Sequence, residues 1–269
     1  MNVGPGRAFP LKREIVAALR ATRLLPLAEA VYGVGRVRRA AADNAAYRAE
    51  HPSVAFPPPE LIQRTYGSAS LRSFHWWGER NAAHIAAEIE RFKPCPDPHV
   101  LEWGCGLGRI GTHLAERYAY TGVDIDHQSI AWCADNLKGR YTVNRSNPPL
   151  PFPDNTWDVV FAVSIFTHLS ASAHEAWRDE VARILKPGGI FIFTVHGTDQ
   201  ALGLSDSEKA TFTDGRLVVR GGVREGSRTF LAYHPEPYVE NVLLAPFEQV
   251  RGPIPACSQT LYIGRKPKP

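Results

Sequence analysis

The residues best suited to chemistry begin with a glycine-rich stretch, Glu102 to Gly111, which reads "EWGCGLGRIG". Glycines at every second position let the backbone adopt conformations closed to other residues and let a ligand approach main-chain N–H groups. The stretch parses in two ways. From Gly106 it is G-x-G-x-x-G (Gly106, Gly108, Gly111), the fingerprint of a dinucleotide-binding turn. From Glu102 it is E-x-G-x-G-x-G (Glu102, Gly104, Gly106, Gly108). A carboxylate at Glu102 can accept hydrogen bonds from the turn or, directly or through water, from a cationic amine on a ligand.

Which parse holds depends on where the preceding strand ends. The apolar run "HVLEW" (His99 to Trp103) predicts a strand, so the turn starts at Gly104. Counting the dinucleotide fingerprint from Gly104 places Arg109 where the third glycine belongs, and the E-x-G-x-G-x-G reading fits without adjustment. Downstream, a helix is predicted over 109–118, a strand over "YTGVDI" (Tyr120 to Ile125), a helix over 129–137 and a strand over "RYTVN" (Arg140 to Asn144). A buried strand follows in "DVVFAVSIF" (Asp158 to Phe166), then a helix over 172–185 stopped by Pro187-Gly188-Gly189, and a strand "IFIFTV" (Ile190 to Val195). Strands and helices alternating at this interval imply a parallel, doubly wound sheet whose ligand lies beyond the strands' carboxyl ends.

The flanks read differently. Ile15, Leu19, Leu24, Leu27, Val31 and Val34 recur at helical spacing among Lys12, Arg13, Arg20, Arg23, Arg36, Arg38 and Arg39, which predicts one or two basic helices over 11–50. The expectation is a helical flap with its apolar face packed on the core; a membrane-surface or partner helix is the alternative. "FPPPE" (Phe56 to Glu60) reads as a linker and 71–91 as a helix. At the end, "RLVVR" and "TFLAY" precede a helix near 237–244, and "FEQVRG" and "TLYIG" read as closing strands on an antiparallel edge.

From about Cys95 to Gly197 the chain resembles the class I S-adenosylmethionine-dependent methyltransferases. "VLEWGCGLGRIG" resembles their first motif and "GVDID" the acidic end of strand two. "LPFPDNTWDVVFAVSIFTHL" resembles the segment through strand four, and "RILKPGGIFIFTVHG" the loop and strand five. The wording of "WCADN", "SIFTHL" and "TVHG" is similar to bacterial members associated with glycan or secondary-metabolite assembly. The resemblance implies a Rossmann-like, seven-stranded, mostly parallel α/β sheet with helices on both faces, an N-terminal helical extension and a C-terminal cap. Residues 1–93 would be extension and lid, 94–199 the S-adenosylmethionine-binding core, and 200–269 the end of the fold with cap and closing strands.

It also implies roles. Gly104, Cys105, Gly106 and Gly108 would line the methionine end of the cofactor with Glu102 nearby. Asp124 would take both ribose hydroxyls, two acceptor oxygens matching a vicinal diol, and Ile125 would pack on adenine. Many members carry an acid after strand three; here "RSNPPLPF" offers Asn147 in its place. Ser164 joins the cofactor set and, with Thr167, fixes its loop. For a hydroxyl acceptor a general base helps, and His168 is the first candidate, His196 the second; each could instead be structural. His75, Trp76 and Trp77, with Tyr233 and His234, are the candidate acceptor-pocket residues or, equally, core aromatics.

The reading is therefore methyl transfer to a small-molecule, sugar or glycolipid acceptor, at a hydroxyl oxygen. The rival readings are a NAD-dependent oxidoreductase and a non-catalytic cofactor-binding scaffold. With 44% hydrophobic residues the chain can build a sizeable core, and a net charge of +4 is too mild to argue for nucleic acid. The N-P-P of "RSNPPL" precedes strand four and lacks a following aromatic, unlike the tetrapeptide of nucleic-acid amino-methylating enzymes. The four cysteines show neither zinc spacing nor a disulfide framework, so no metal is expected and a reducing, cytoplasmic setting is. Neither a membrane span nor a signal peptide is expected.

Overall fold

A computed structural model describes residues 10–269, with side chains from Ile15 onward; Lys12 and Arg13, counted among the basic helix residues, lie outside the described side chains, as does all of 1–9. Four helices precede the sheet: α1 (Pro10–Ala21), α2 (Leu25–Glu50), α3 (Pro59–Tyr66) and α4 (Leu71–Phe92). The alternating part runs β1 (His99–Trp103), α5 (Gly111–Leu114), β2 (Ala119–Asp124), α6 (His127–Asn136), β3 (Arg140–Val143), β4 (Trp157–Ala162), α7 (Ala171–Ile184) and β5 (Leu185–Val195). Then come α8 (Asp206–Thr213), β6 (Val218–Arg220), β7 (Leu231–Tyr233), α9 (Glu236–Tyr238) continuing as a π-helical turn over Val239–Leu243, β8 (Glu248–Ala256) and β9 (Gln259–Arg265).

Seven strands form one sheet in the order β3-β2-β1-β4-β5-β9-β8, parallel through β5 and antiparallel at β9 and β8. This is the Rossmann-like sheet expected, with the antiparallel edge. The chain leaves β1 toward β2 on one side and returns to β4 on the other, so the carboxyl ends of β1 and β4 part at the switch point where α/β sheets bind ligands.

Side-chain alternation along β1 explains both layers. Leu101 and Trp103 pack with Phe166, Trp177 and Val181 on the α7 face; Val100 packs with Ile85 and Ile89 of α4 on the other. All six β4 residues are buried, which is why that strand reads as a continuous apolar run. Each fully buried Phe161, Phe191 or Phe193 contributes about 1.5–3 kcal/mol relative to exposure, so the strand ends that carry the site are well anchored.

Several expectations are corrected. The supposed linker ends in the first residues of α3: Pro59 supplies a pre-set first turn and Gly67, at φ 70°, a left-handed stop. The helix expected over 109–118 shrinks to the four residues of α5, because Cys105 to Ile110 continue the glycine corner as turns. Helix α7 ends at Ile184, before Pro187, and the Pro-Gly-Gly run lies within β5. The strands β6 and β7 pair only with each other. Ile15, Leu24, Leu27, Val31 and Val34 form no buried face: all are exposed.

Candidate active site

The corner after β1 is set by glycine. Gly104 (φ 80°) and Gly106 (φ 54°) take conformations that cost other residues free energy, and a Cβ on Gly104 would sit 2.0 Å from Ile165 Cδ1. A Cβ on Gly106 would lie 2.8 Å from the Tyr66 hydroxyl. Both glycines line a cavity of about 1330 Å³ at the carboxyl ends of the strands, together with Asp124, Ile125, Ser164 and His168.

The amides of this corner are committed. Gly104 N and Cys105 N donate to the Val123 carbonyl (2.8 and 3.0 Å), Gly108 N to Cys105 O (2.9 Å) and Leu107 N to the Tyr66 hydroxyl (3.3 Å). Gly106 N donates to Asp124 Oδ2 at 2.8 Å, and Asp126 N to Asp124 Oδ1 at 2.9 Å. A pyrophosphate would find amides already bonded and a carboxylate beside them. A neutral diol finds two oriented acceptor oxygens, each with a lone pair to spare. Burial raises the Asp124 pKa, and the amides of Asp126 and Gly106 oppose that rise. The donor set thus fits a nucleoside ribose next to a glycine cradle.

Glu102 does not reach the cavity, which corrects its expected place beside a ligand amine. It points from β1 to the α4 face, beneath the corner, where it accepts the Tyr120 hydroxyl at 2.5 Å and the Gly111 amide. Burial pushes its pKa up to about 8, outweighing the hydrogen bond from Tyr120, so near neutral pH it is largely a neutral acid that braces the turn. Cys105 and Gly108 lie behind the corner as well. Cys105 is buried, and a Cβ on Gly108 would meet Leu137 at 2.4 Å, so this glycine serves packing. Asn147 is exposed and outside the cavity wall.

Ser164 stands in a left-handed conformation (φ 65°) just past β4. Its amide donates to Thr194 Oγ1 (2.8 Å), and its hydroxyl accepts from Gln259 Nε2 (2.8 Å) at the start of β9. This network fixes the loop that presents Ile165 to Gly104. Two residues on, in the 3-10 turn Phe166–His168, the His168 ring donates from Nδ1 to the Phe230 carbonyl (2.7 Å). A carbonyl can only accept, so in the neutral ring the proton sits on Nδ1 and Nε2 keeps its lone pair. Burial lowers the His168 pKa, more than the Phe230 contact raises it.

His196 is set behind His168, away from the cavity wall; its Nδ1 donates to Ala232 O (3.2 Å), and burial lowers its pKa to about 4. Of the candidate acceptor-pocket residues, Trp77 alone lines the cavity. His75 faces inward against Tyr47, whose hydroxyl lies 2.9 Å from its Nδ1, and Trp76 points outward at 49% exposure. Tyr233 ends β7, a strand that pairs away from the main sheet, and His234 follows it. Tyr233 packs on Leu204 and Val218, and the fully buried His234 ring lies 5.0 Å from that of His174.

Residues outside those expectations complete the wall: Gln63, Arg64 and Tyr66 of α3, Asn81, Arg109, and a loop bearing Arg224 and Arg228. Arg109 lies 4.2 Å over the Tyr66 ring, Arg64 pairs with Asp126 at 2.5 Å, and Arg228 pairs with Glu29. The Pro59 start and Gly67 stop were the available signal for α3. The loop at 224–230, distant in sequence, left none. Among the described residues no group of His, Cys, Asp or Glu could hold a metal ion.

Residues 101–193 match the family model of a methyltransferase domain. A 100-residue stretch is 38% identical to a fatty-acid O-methyltransferase of Mycolicibacterium smegmatis, covering 35% of this chain and 36% of that protein. Over 152 residues it is 34% identical to a sterol 24-C-methyltransferase of Schizosaccharomyces pombe, covering 49% and 39%. The match thus spans well under two thirds of these relatives' own length. Among solved structures, a SAM-dependent methyltransferase of Methanosarcina mazei superposes with a TM-score of 0.52 at 22% identity, over 68% of this chain and 98% of that one. A protein of Pyrococcus horikoshii reaches a TM-score of 0.55 at 20% identity, over 77% and 96%. Residues 101–193 thus match a methyltransferase domain, and the sheet that holds them shares its fold with a SAM-dependent methyltransferase.

Proposed function

We propose that this protein transfers a methyl group from S-adenosylmethionine to a hydroxyl oxygen of an acceptor with an apolar body. The segment 94–199 would hold the cofactor, and 1–93 and 200–269 would supply the acceptor's surroundings. The observation that carries the reading is Asp124. Its carboxylate is pinned by two backbone amides at the cavity edge, one of them from the glycine corner itself. The other rival reading, a cofactor-binding scaffold without turnover, has no use for a base with a free lone pair at the same cavity.

When bound, S-adenosylmethionine supplies an electrophilic methyl on a sulfonium, open to in-line displacement by a nucleophile. The chain's own residues do the rest. Asp124 accepts the two ribose hydroxyls, Ile125 packs on the adenine, and Gly104 and Gly106 leave room for the methionine end. His168 Nε2 takes the acceptor's hydroxyl proton, while its Nδ1–H stays on the Phe230 carbonyl and holds the ring in place. Asp124 and His168 line the same cavity, so the work is positioning.

The acceptor's character follows from Ala30, Val34, Val37 and Trp77, an apolar stretch of the same wall. The relatives' names, a fatty-acid and a sterol enzyme, agree with an amphiphile, and the sterol enzyme methylates carbon. The test is transfer of a labelled methyl to a panel of long-chain alcohols, fatty acids, glycolipids and sterols, with the product's methylated atom assigned by mass spectrometry. A methyl ether at a hydroxyl supports the reading; a methyl ester alone, a C-methyl product, or no transfer to any of them refutes it.

A further inference from the structure

We propose that the outer face of α1 and α2 docks on an anionic lipid bilayer. Leu24, Leu27, Val31 and Val34 are spaced three, four and three residues apart, which places them on one stripe of the helix, and they are 51%, 64%, 68% and 55% exposed. A stripe of this kind ordinarily faces the core. Here Leu25 and Tyr47 anchor α2 together with polar side chains, and the stripe is left outside. Arg20 Nη1 donates to the carbonyls of Arg220 and Gly221 (both 3.0 Å), Arg36 to the Gly67 carbonyl, and Glu29 pairs with Arg228. The helices are therefore held against the body in an orientation that turns the apolar stripe outward.

Charge selects the occupant. From Pro10 to Ala42 the sequence carries Lys12, Arg13, Arg20, Arg23, Arg36, Arg38 and Arg39 against Glu14 and Glu29. Arg23, Arg38 and Arg39 are exposed beside the stripe. Apolar residues flanked by arginine are the composition of a helix that lies in the headgroup region of an anionic membrane. Among the described residues no helix is long and apolar enough to cross one, so the contact is with the surface. The stripe is also continuous with the cavity: Val34 belongs to both, and Ala30 and Val37 carry the apolar wall inward. Docking would set the cavity's rim at the lipid surface, where an amphiphilic acceptor resides.

The inference stands apart from the methyl-transfer reading, because docking is measured without cofactor or acceptor. The experiment is co-sedimentation of the full chain with vesicles of phosphatidylcholine alone and with about a quarter phosphatidylglycerol. The anionic vesicles should bind at least about tenfold more protein, less so as salt is raised. The double variant Leu27→Ser/Val31→Ser removes exposed side chains only, so its circular dichroism should be unchanged while binding drops about tenfold or more. Arg23→Gln/Arg39→Gln should erase the preference for anionic lipid. Equal binding to both vesicle types, or full binding by the Leu27→Ser/Val31→Ser variant, would overturn the proposal. So would a wild-type dimer in solution that the same variant splits into monomers, since the stripe would then be a subunit contact.

Discussion

Replacing Glu102 by glutamine should make the protein's stability less dependent on pH. In the folded state the carboxyl is buried under the glycine corner with its pKa pushed up to about 8, against an ordinary value of 4.5. Between those values the folded chain holds a proton that the unfolded chain has lost. Unfolding then releases a proton, and stability falls as pH rises, by at most about 1.4 kcal/mol per pH unit. From about pH 5 to about pH 7 the wild type should lose roughly 2–3 kcal/mol through this one group. Glutamine keeps the oxygen that accepts from Tyr120 and Gly111 and has no proton to lose. Buried histidines tilt the curve the other way: burial holds His174 and His196 near 4, so their contribution is lost as pH falls toward that value. They are present in both proteins and cancel in the difference. Urea unfolding of wild type and Glu102→Gln at about one-unit pH steps isolates the carboxyl. Stability curves that run parallel across this window would refute a protonated Glu102.

Other outcomes follow from the same geometry. Asp124→Asn must turn an N–H toward either the Gly106 or the Asp126 amide and offers one fewer acceptor to the ribose. Losing one charge-assisted bond, worth about 1.5–3 kcal/mol, should weaken S-adenosylhomocysteine binding about tenfold to a hundredfold by calorimetry; unchanged affinity would remove Asp124 from the site. Gly104→Ala places a methyl 2.0 Å from Ile165 Cδ1 at a positive φ and should abolish cofactor binding, whereas Gly104→Ala/Ile165→Ala should recover part of it; no recovery would show that φ alone decides. For His168, the lowered pKa means that the acidic fall in methyl-transfer activity, as the free Nε2 gains a proton, should lie below the ordinary histidine range. His168→Gln should cut kcat about a hundredfold and lose that acidic limb, and a variant with the wild-type rate and pH profile would leave His168 structural.

How much of this was legible in the sequence depends on distance along the chain. The strands β1, β4 and β5 announced themselves because a parallel sheet covered on both faces demands runs such as "VVFA" and "IFIFTV". The corner was legible because Gly104 follows Trp103 directly, so the strand end fixed the parse. Local context misled where one residue type serves two ends: Pro57 to Pro59 suggested a linker, yet Pro59 opens α3, which brings Tyr66 against the corner. From the sequence Glu102 can serve the turn or a ligand amine, and strand alternation decides for the turn, sending it to the α4 face beneath. Tyr233 and His234 were placed by composition, and their strand pairs with β6 instead of the main sheet. Nothing local could reveal that Gln259 reaches Ser164, or that Phe230 holds His168, because partners so far apart in sequence meet only through the fold.

The account rests on the corner after β1 receiving a nucleoside diol and an amino-acid tail in place of a pyrophosphate. Isothermal titration of the full chain with S-adenosylhomocysteine and, separately, with NAD decides it. Binding of S-adenosylhomocysteine with a micromolar Kd, and none of NAD, is the predicted result. Tight binding of NAD with no heat from S-adenosylhomocysteine would contradict it.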